Sequence, residues 1–125
     1  MKIKTAELTG VALDFAVAQC EGSLPASFDD WKQTWPRYSA NWSQGGPIIE
    51  QQSLWVRESA VASPAVAHLV TPDKKWFAYA QRSHDGTAAK CYYGATFLIA
   101  AMRCYVASRL GDEVKVPDEL ANYVA

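Results

Sequence analysis

The sequence predicts an α+β domain: two main helices packed on a small, mostly antiparallel sheet, beside an irregular aromatic-rich lobe. Three observations carry this reading. Apolar residues recur at helical spacing over residues 9–20 and 96–110, residues 76–81 alternate in the manner of a strand, and residues 22–47 mix Gly and Pro with Trp31, Trp35, Tyr38 and Trp42. Of the 125 residues, 50% are hydrophobic and 20% charged, enough apolar material for one core, so residues 1–125 are read as a single domain.

In the first helix Leu8, Val11, Ala12, Phe15 and Ala18 share a face, which Leu13, Val17 and Cys20 widen. Thr9 stands at its start, and Gly22 and Pro25 follow its end. The aromatic lobe is too rich in large rings for a solvated loop, and one helical turn is expected from Ser27. Residues 48–49 and 54–56 read as short strands, and residues 64–70 as a short helix bounded by Pro64 and Pro72. After the strand at 76–81, His84-Asp85-Gly86 supplies a turn, so that residues 88–93 return as its hairpin partner.

The last long helix repeats Phe97, Leu98, Ala101, Cys104, Tyr105 and Ser108 at helical spacing, with Gly111 placed for a left-handed C-cap. Arg109 suits the negative end of the helix dipole. Residues 116–120 begin like one more short helix, with Pro117 and two acids in the first turn.

Charge excludes one class of partner. Twelve basic residues face thirteen acidic ones and are scattered, whereas double-stranded nucleic acid is held by clustered Lys and Arg on phosphates. No apolar stretch is long enough to span a bilayer, and Lys2, Lys4 and Glu7 interrupt any secretory leader, so a cytoplasmic location and no membrane partner are expected. Cys20, Cys91 and Cys104 have neither paired count nor metal-like spacing; free thiols are expected, with Cys104 buried in its helix.

Catalysis needs a convergent acid, base or nucleophile. His68 sits in an Ala/Val-rich run and reads as a packed imidazole, and His84 reads as a turn residue. Neither has a partner at ligand spacing, so no metal and no cofactor are expected. The pairs Asp29-Asp30, Asp112-Glu113 and Asp118-Glu119 suit helix ends and turns, and Gly45-Gly46-Pro47 lacks the Lys-Ser/Thr of a phosphate loop.

Three ordered blocks carry a family resemblance. Residues 1–14 read Met-Lys-Ile-Lys-Thr-Ala-Glu-Leu-Thr-Gly-Val-Ala-Leu-Asp, residues 41–50 Asn-Trp-Ser-Gln-Gly-Gly-Pro-Ile-Ile-Glu, and residues 98–114 run from Leu-Ile-Ala-Ala-Met-Arg-Cys-Tyr to Gly-Asp-Glu-Val. Together they resemble the NinX-like family of small proteins of tailed phages and prophages, a domain without an assigned activity. Members of that family enter the last helix through a Gly-Pro-Thr-Pro type of turn, where this chain has Gly94-Ala95-Thr96-Phe97. The resemblance implies expression inside an infected bacterium from a dispensable accessory gene, of the kind that counters host defence or adjusts host physiology.

The positive functional signal is aromatic. Five Trp and six Tyr exceed the needs of an ordinary core, and rings interleaved with Arg37, Asn41, Gln44, Gly45 and Gly46 suit a pocket for a planar polar ligand. Trp42 is the expected stacking face. Tyr93, the helix start at Thr96, and Arg103 further along that helix are expected at an anionic end. The leading reading is a non-catalytic protein that sequesters a small, nucleotide-derived host defence signal. The alternatives are an inhibitor docking on a host enzyme through an aromatic patch, with a host defence protein as its partner, and a divergent nucleotide-cleaving enzyme using carboxylates. An enclosed aromatic pocket, a flat aromatic face and clustered buried carboxylates separate the three, and a homo-oligomer is compatible with each.

Overall fold

The computed structural model describes residues 2–22, 30, 31, 33, 35–58, 72–79, 91–118 and 120. The helix expected over 64–70, the turn at residues 84–86, the helical turn from Ser27 and both histidines lie outside the described residues.

The chain opens with strand β1 (Lys2–Lys4), a 3-10 turn (Thr5–Glu7) and helix α1 (Gly10–Glu21). Helix α2 (Trp42–Gln52) and strand β2 (Trp55–Glu58) follow. A second 3-10 turn (Pro72–Lys74) leads into β3 (Trp76–Tyr79), then come β4 (Tyr92–Gly94), α3 (Phe97–Leu110) and β5 (Glu113–Lys115). β2, β3 and β4 form one antiparallel sheet in that order, and β1 pairs antiparallel with β5 through Ile3 opposite Val114. The class is α+β, with small antiparallel sheets.

α3 lies across all three strands of the larger sheet, and α1 runs against α3. Both helices are interior. Val11 to Ala18 and Ala100 to Ala107 are each eight consecutive buried residues, more than two turns, so neither helix has a wet face over that length. Ala12, Ala16, Ala100 and Ala101 keep the helices slim where they meet the rest of the core. Gly22 ends α1 in the left-handed conformation, with its N–H on the Ala18 and Gln19 carbonyls. Gly111 also has positive φ, but its ψ of −163° lies outside the left-handed helical well expected for it.

The main departure from expectation is α2. Residues 42–47, expected in an irregular lobe, and residues 48–49, expected as a strand, form one continuous helix with Pro47 inside it. Pro in a helix interior costs about 3 kcal/mol or more, so tertiary contacts must outweigh local preference. They are visible. Asn41 caps the helix by accepting from the Ser43 N–H, Ile48 is buried, and Gly45 lies directly against the Tyr38 carbonyl, where an added Cβ would also stand only 2.9 Å from the Leu98 side chain.

The two adjacent glycines therefore have opposite fates. Gly46 has room, its nearest neighbour to an added Cβ being the Trp42 ring at 3.9 Å. Gly46→Ala should stabilise the protein by about 0.5–1 kcal/mol through helix propensity, whereas Gly45→Ala should destabilise it because a backbone carbonyl blocks the methyl. Urea denaturation of the two variants measures both signs; equal stabilisation would contradict the packing of α2 on α3.

Candidate functional site

The expected site residues fall into two groups, and their local chemistry explains the division. At the start of α3, Thr96 adopts extended backbone and its hydroxyl accepts from the Ile99 N–H, so it serves as the N-cap. Phe97 lies between Trp42, with ring centroids 5.0 Å apart, and Trp76 at 5.5 Å. Trp42 keeps 58% of its surface exposed, which makes this aromatic corner an open one.

The polar neighbours of Trp42 are occupied by the fold. Asn41 is the α2 cap, the Gln44 side-chain oxygen accepts from the Arg37 backbone N–H, and the Arg37 guanidinium lies 4.3 Å over the Trp35 ring. Gly45 and Gly46, expected to offer backbone N–H groups from a loop, instead lie within α2, where the Gly45 N–H bonds to the Asn41 carbonyl. Trp31 is core, edge-on to Phe15 at 5.3 Å.

Asp14 entered the sequence reading only as the end of the first family block, with no role assigned to it. It is buried on α1, where its two oxygens accept from Trp35 Nε1 at 2.9 Å and the Ser39 N–H at 2.8 Å. Burial nonetheless raises its pKa above the ordinary value, outweighing those hydrogen bonds and the Arg37 charge.

The second group is Tyr93 and Arg103, and here the structure holds a cavity of about 500 Å³. It lies between the first 3-10 turn, the turn at Pro72–Lys74 and β4, and Glu7, Thr9, Asp73, Lys74, Tyr92 and Arg103 supply most of its polar lining. Tyr93 and Cys91 also line it, whereas Arg37, Asn41, Trp42, Gln44, Gly45, Gly46 and Thr96 do not.

Arg103 is the organising group. It projects from the buried stretch of α3; its Nε donates to the Leu8 carbonyl at 2.8 Å and its Nη1 to the Tyr93 carbonyl at 2.6 Å. Among the described residues β4 is an edge strand, and the guanidinium ties it to the N-terminal segment. Desolvation lowers the Arg103 pKa and nearby Asp73 partly restores it, but an arginine remains charged in either case. The Lys74 ammonium stands 5.5 Å from the Tyr93 ring. The Tyr92 hydroxyl donates to Asp112 at 2.7 Å, and burial followed by that carboxylate pushes its pKa up. The cavity lining thus includes two cations, two carboxylates and two tyrosines.

Of the three thiols only that of Cys91 belongs to a residue that lines the cavity. Cys104 is buried, Cys20 is half-buried with its pKa pushed up by burial to about 12, Cys91 is exposed, and none of the three is in a disulfide. Among the described residues no group of three or more His, Cys, Asp or Glu is placed to hold a metal ion, and no helix is long and apolar enough to cross a membrane.

A small α+β domain with a charged cavity at a sheet edge stitched by an internal arginine is the class that fold and site define. Its family is equally plain: residues 4–109 match the model of the bacteriophage P22 NinX family, from β1 almost to the end of α3, and the chain belongs to that family. Among curated proteins none matches the chain.

Two variants probe these buried charges. Arg103→Lys places one ammonium where a fork spans two carbonyls, so at least one charge-assisted hydrogen bond is lost; a destabilisation of about 1.5–3 kcal/mol is expected by denaturant titration. For Asp14 the folded pKa exceeds the unfolded one, so the native state holds its proton more tightly. The stability advantage of the wild type over Asp14→Ala should be largest at low pH and shrink as pH rises from the ordinary value of 3.8 through the raised one. An advantage that instead grows over that window would reverse the assignment.

Proposed function

We propose that the chain is a non-catalytic binding protein for a small, planar, anionic ligand of the nucleotide class, and that it withdraws such a molecule from host defence in the bacterial cytoplasm. The cavity beside β4 carries the reading. Its volume of about 500 Å³ suits a nucleotide-sized ligand, and Lys74, Arg103 and Tyr93 line it. Arg103 is immobilised by two backbone carbonyls, so its charge is offered without reordering a flexible side chain. Asp73 and Glu7 can accept from sugar hydroxyls or exocyclic amines, which favours a ligand with few negative charges over a polyanion. Membership of a bacteriophage family supports the setting, an infected cell.

Calorimetric titration with AMP and with adenosine tests this reading. AMP should bind more tightly. Lys74→Ala should narrow the gap between the two, and salt should narrow it further as the Debye length falls from about 10 Å at 0.1 M to about 3 Å at 1 M. Tyr93→Ala should weaken both by about five- to a hundred-fold, the loss of one stacked base. Mass spectrometry of molecules released from protein purified out of infected bacteria should find an intact nucleotide-class compound. Equal binding of AMP and adenosine would remove the anion site, and recovery of cleaved AMP would replace sequestration by hydrolysis.

A further inference from the structure

The outer face of the three-stranded sheet, opposite α3, carries an unusual set of side chains. Alternation and register place Trp55 and Arg57 of β2, Phe77 and Tyr79 of β3, and Tyr93 of β4 on that one face. The opposite face receives Val56, Ala78 and Tyr92, together with Glu58, Trp76 and Gly94. Of five outward positions, four are aromatic, one is cationic and none is acidic.

The rings form a continuous row. Trp55 and Tyr79 have centroids 6.2 Å apart and planes within 8°; Tyr79 and Phe77 are 6.3 Å apart at 17°; Phe77 and Tyr93 are 6.3 Å apart at 51°. A cation stands at each end, Arg57 at 6.0 Å from the Trp55 ring and Lys74 at 5.5 Å from the Tyr93 ring. Cross-strand aromatic pairs stabilise a sheet by about 0.2–1 kcal/mol each, which accounts for the choice of residues along the middle of the row. It does not account for the ends, where Trp55 is 46% exposed and Tyr93 40% exposed.

We propose that this face is a docking platform for single-stranded nucleic acid, with bases stacked on the aromatic row and phosphates drawn by Arg57 and Lys74. Three features favour that occupant. Base-stacking sites combine exposed rings with cations tracking the backbone. The ring spacings of 6.2–6.3 Å are nearly twice the roughly 3.4 Å rise per nucleotide of a duplex strand, so each ring accepts a base separated from its neighbour. Among the described strand residues the face also lacks the acidic groups that would repel phosphate, although the chain as a whole carries a formal charge of −1. Duplex DNA presents no base face to such a surface.

Fluorescence anisotropy with labelled oligothymidylate and oligouridylate of about eight nucleotides, beside a duplex of the same length, reads this directly. Both single strands should bind and the duplex should not. A preference for oligouridylate would place the ligand as RNA and the reverse as DNA, each within the proposal. Trp55→Ala should weaken binding about five- to a hundred-fold, and Arg57→Ala should lower the salt slope by about 0.7. Neither residue lines the β4 cavity, so both variants should keep the wild-type affinity for AMP, which separates failure of this proposal from failure of the cavity reading. Unchanged oligonucleotide affinity in folded Trp55→Ala would overturn the proposal. So would self-association, or capture of a host protein, that depends on Trp55 while no oligonucleotide binds.

Discussion

The structure depends on how a buried helix disposes of one charge. α3 is enclosed over eight consecutive residues, yet the fourth of them is an arginine. Leaving a guanidinium in such a place without partners would be prohibitively costly, and the fold answers with two backbone carbonyls from distant segments. Those carbonyls belong to Leu8, just ahead of α1, and Tyr93, on β4 of the larger sheet. One side chain thereby satisfies polar groups that neither helix nor sheet geometry can reach. It also fixes the distance between the N-terminal segment and β4, and the cavity is the space left between them. Asp14 does the complementary task on α1, accepting from Trp35 and the Ser39 backbone ahead of α2.

This pairing explains which elements were legible. α1 and α3 were read nearly to their ends, since their signals are local: an apolar run, Thr9 or Thr96 before it, a glycine after it. α2 was not. Gly45, Gly46 and Pro47 are the residues that normally interrupt a helix, and the forces that override them are tertiary: contacts of Gly45 with Tyr38 and Leu98, and the burial of Ile48. β1 and β5 were missed for a related reason. Lys-Ile-Lys and Glu-Val-Lys are three-residue strands with one inward side chain each, the half-buried Ile3 and the buried Val114, too short to show a period until they are seen opposite one another.

The site was legible in part by the same logic. Tyr93 and Arg103 were singled out from their places near the α3 start, and the structure brings them together at one cavity. Their partners Asp73, Lys74 and Glu7 come from turns remote in sequence, and no spacing rule points to them. The loop around Trp42 drew attention for its rings and polar neighbours, but capping, turn closure and helix packing use Asn41, Gln44 and Gly45. Asp14 was given no role because a single carboxylate within an apolar run gives no sign of what it will meet.

The aromatic row lies at the far end of this scale. Alternation within β3 was visible in the sequence, but Trp55, Phe77, Tyr79 and Tyr93 become one surface only through the register of three strands. That register also places Tyr93 at the junction of the two candidate surfaces: its carbonyl holds Arg103, its ring ends the aromatic row, and it lines the cavity. Lys74 shares the junction, over the Tyr93 ring and at the cavity wall. A nucleotide in the cavity and a strand on the sheet would therefore draw on the same ring and the same cation. Two ligands using one group cannot both have it fully, so occupation of either surface should weaken the other, and by linkage the weakening is equal in both directions. Arg103, held by the fold and absent from the outer face, gives the cavity a charge that the platform cannot take from it.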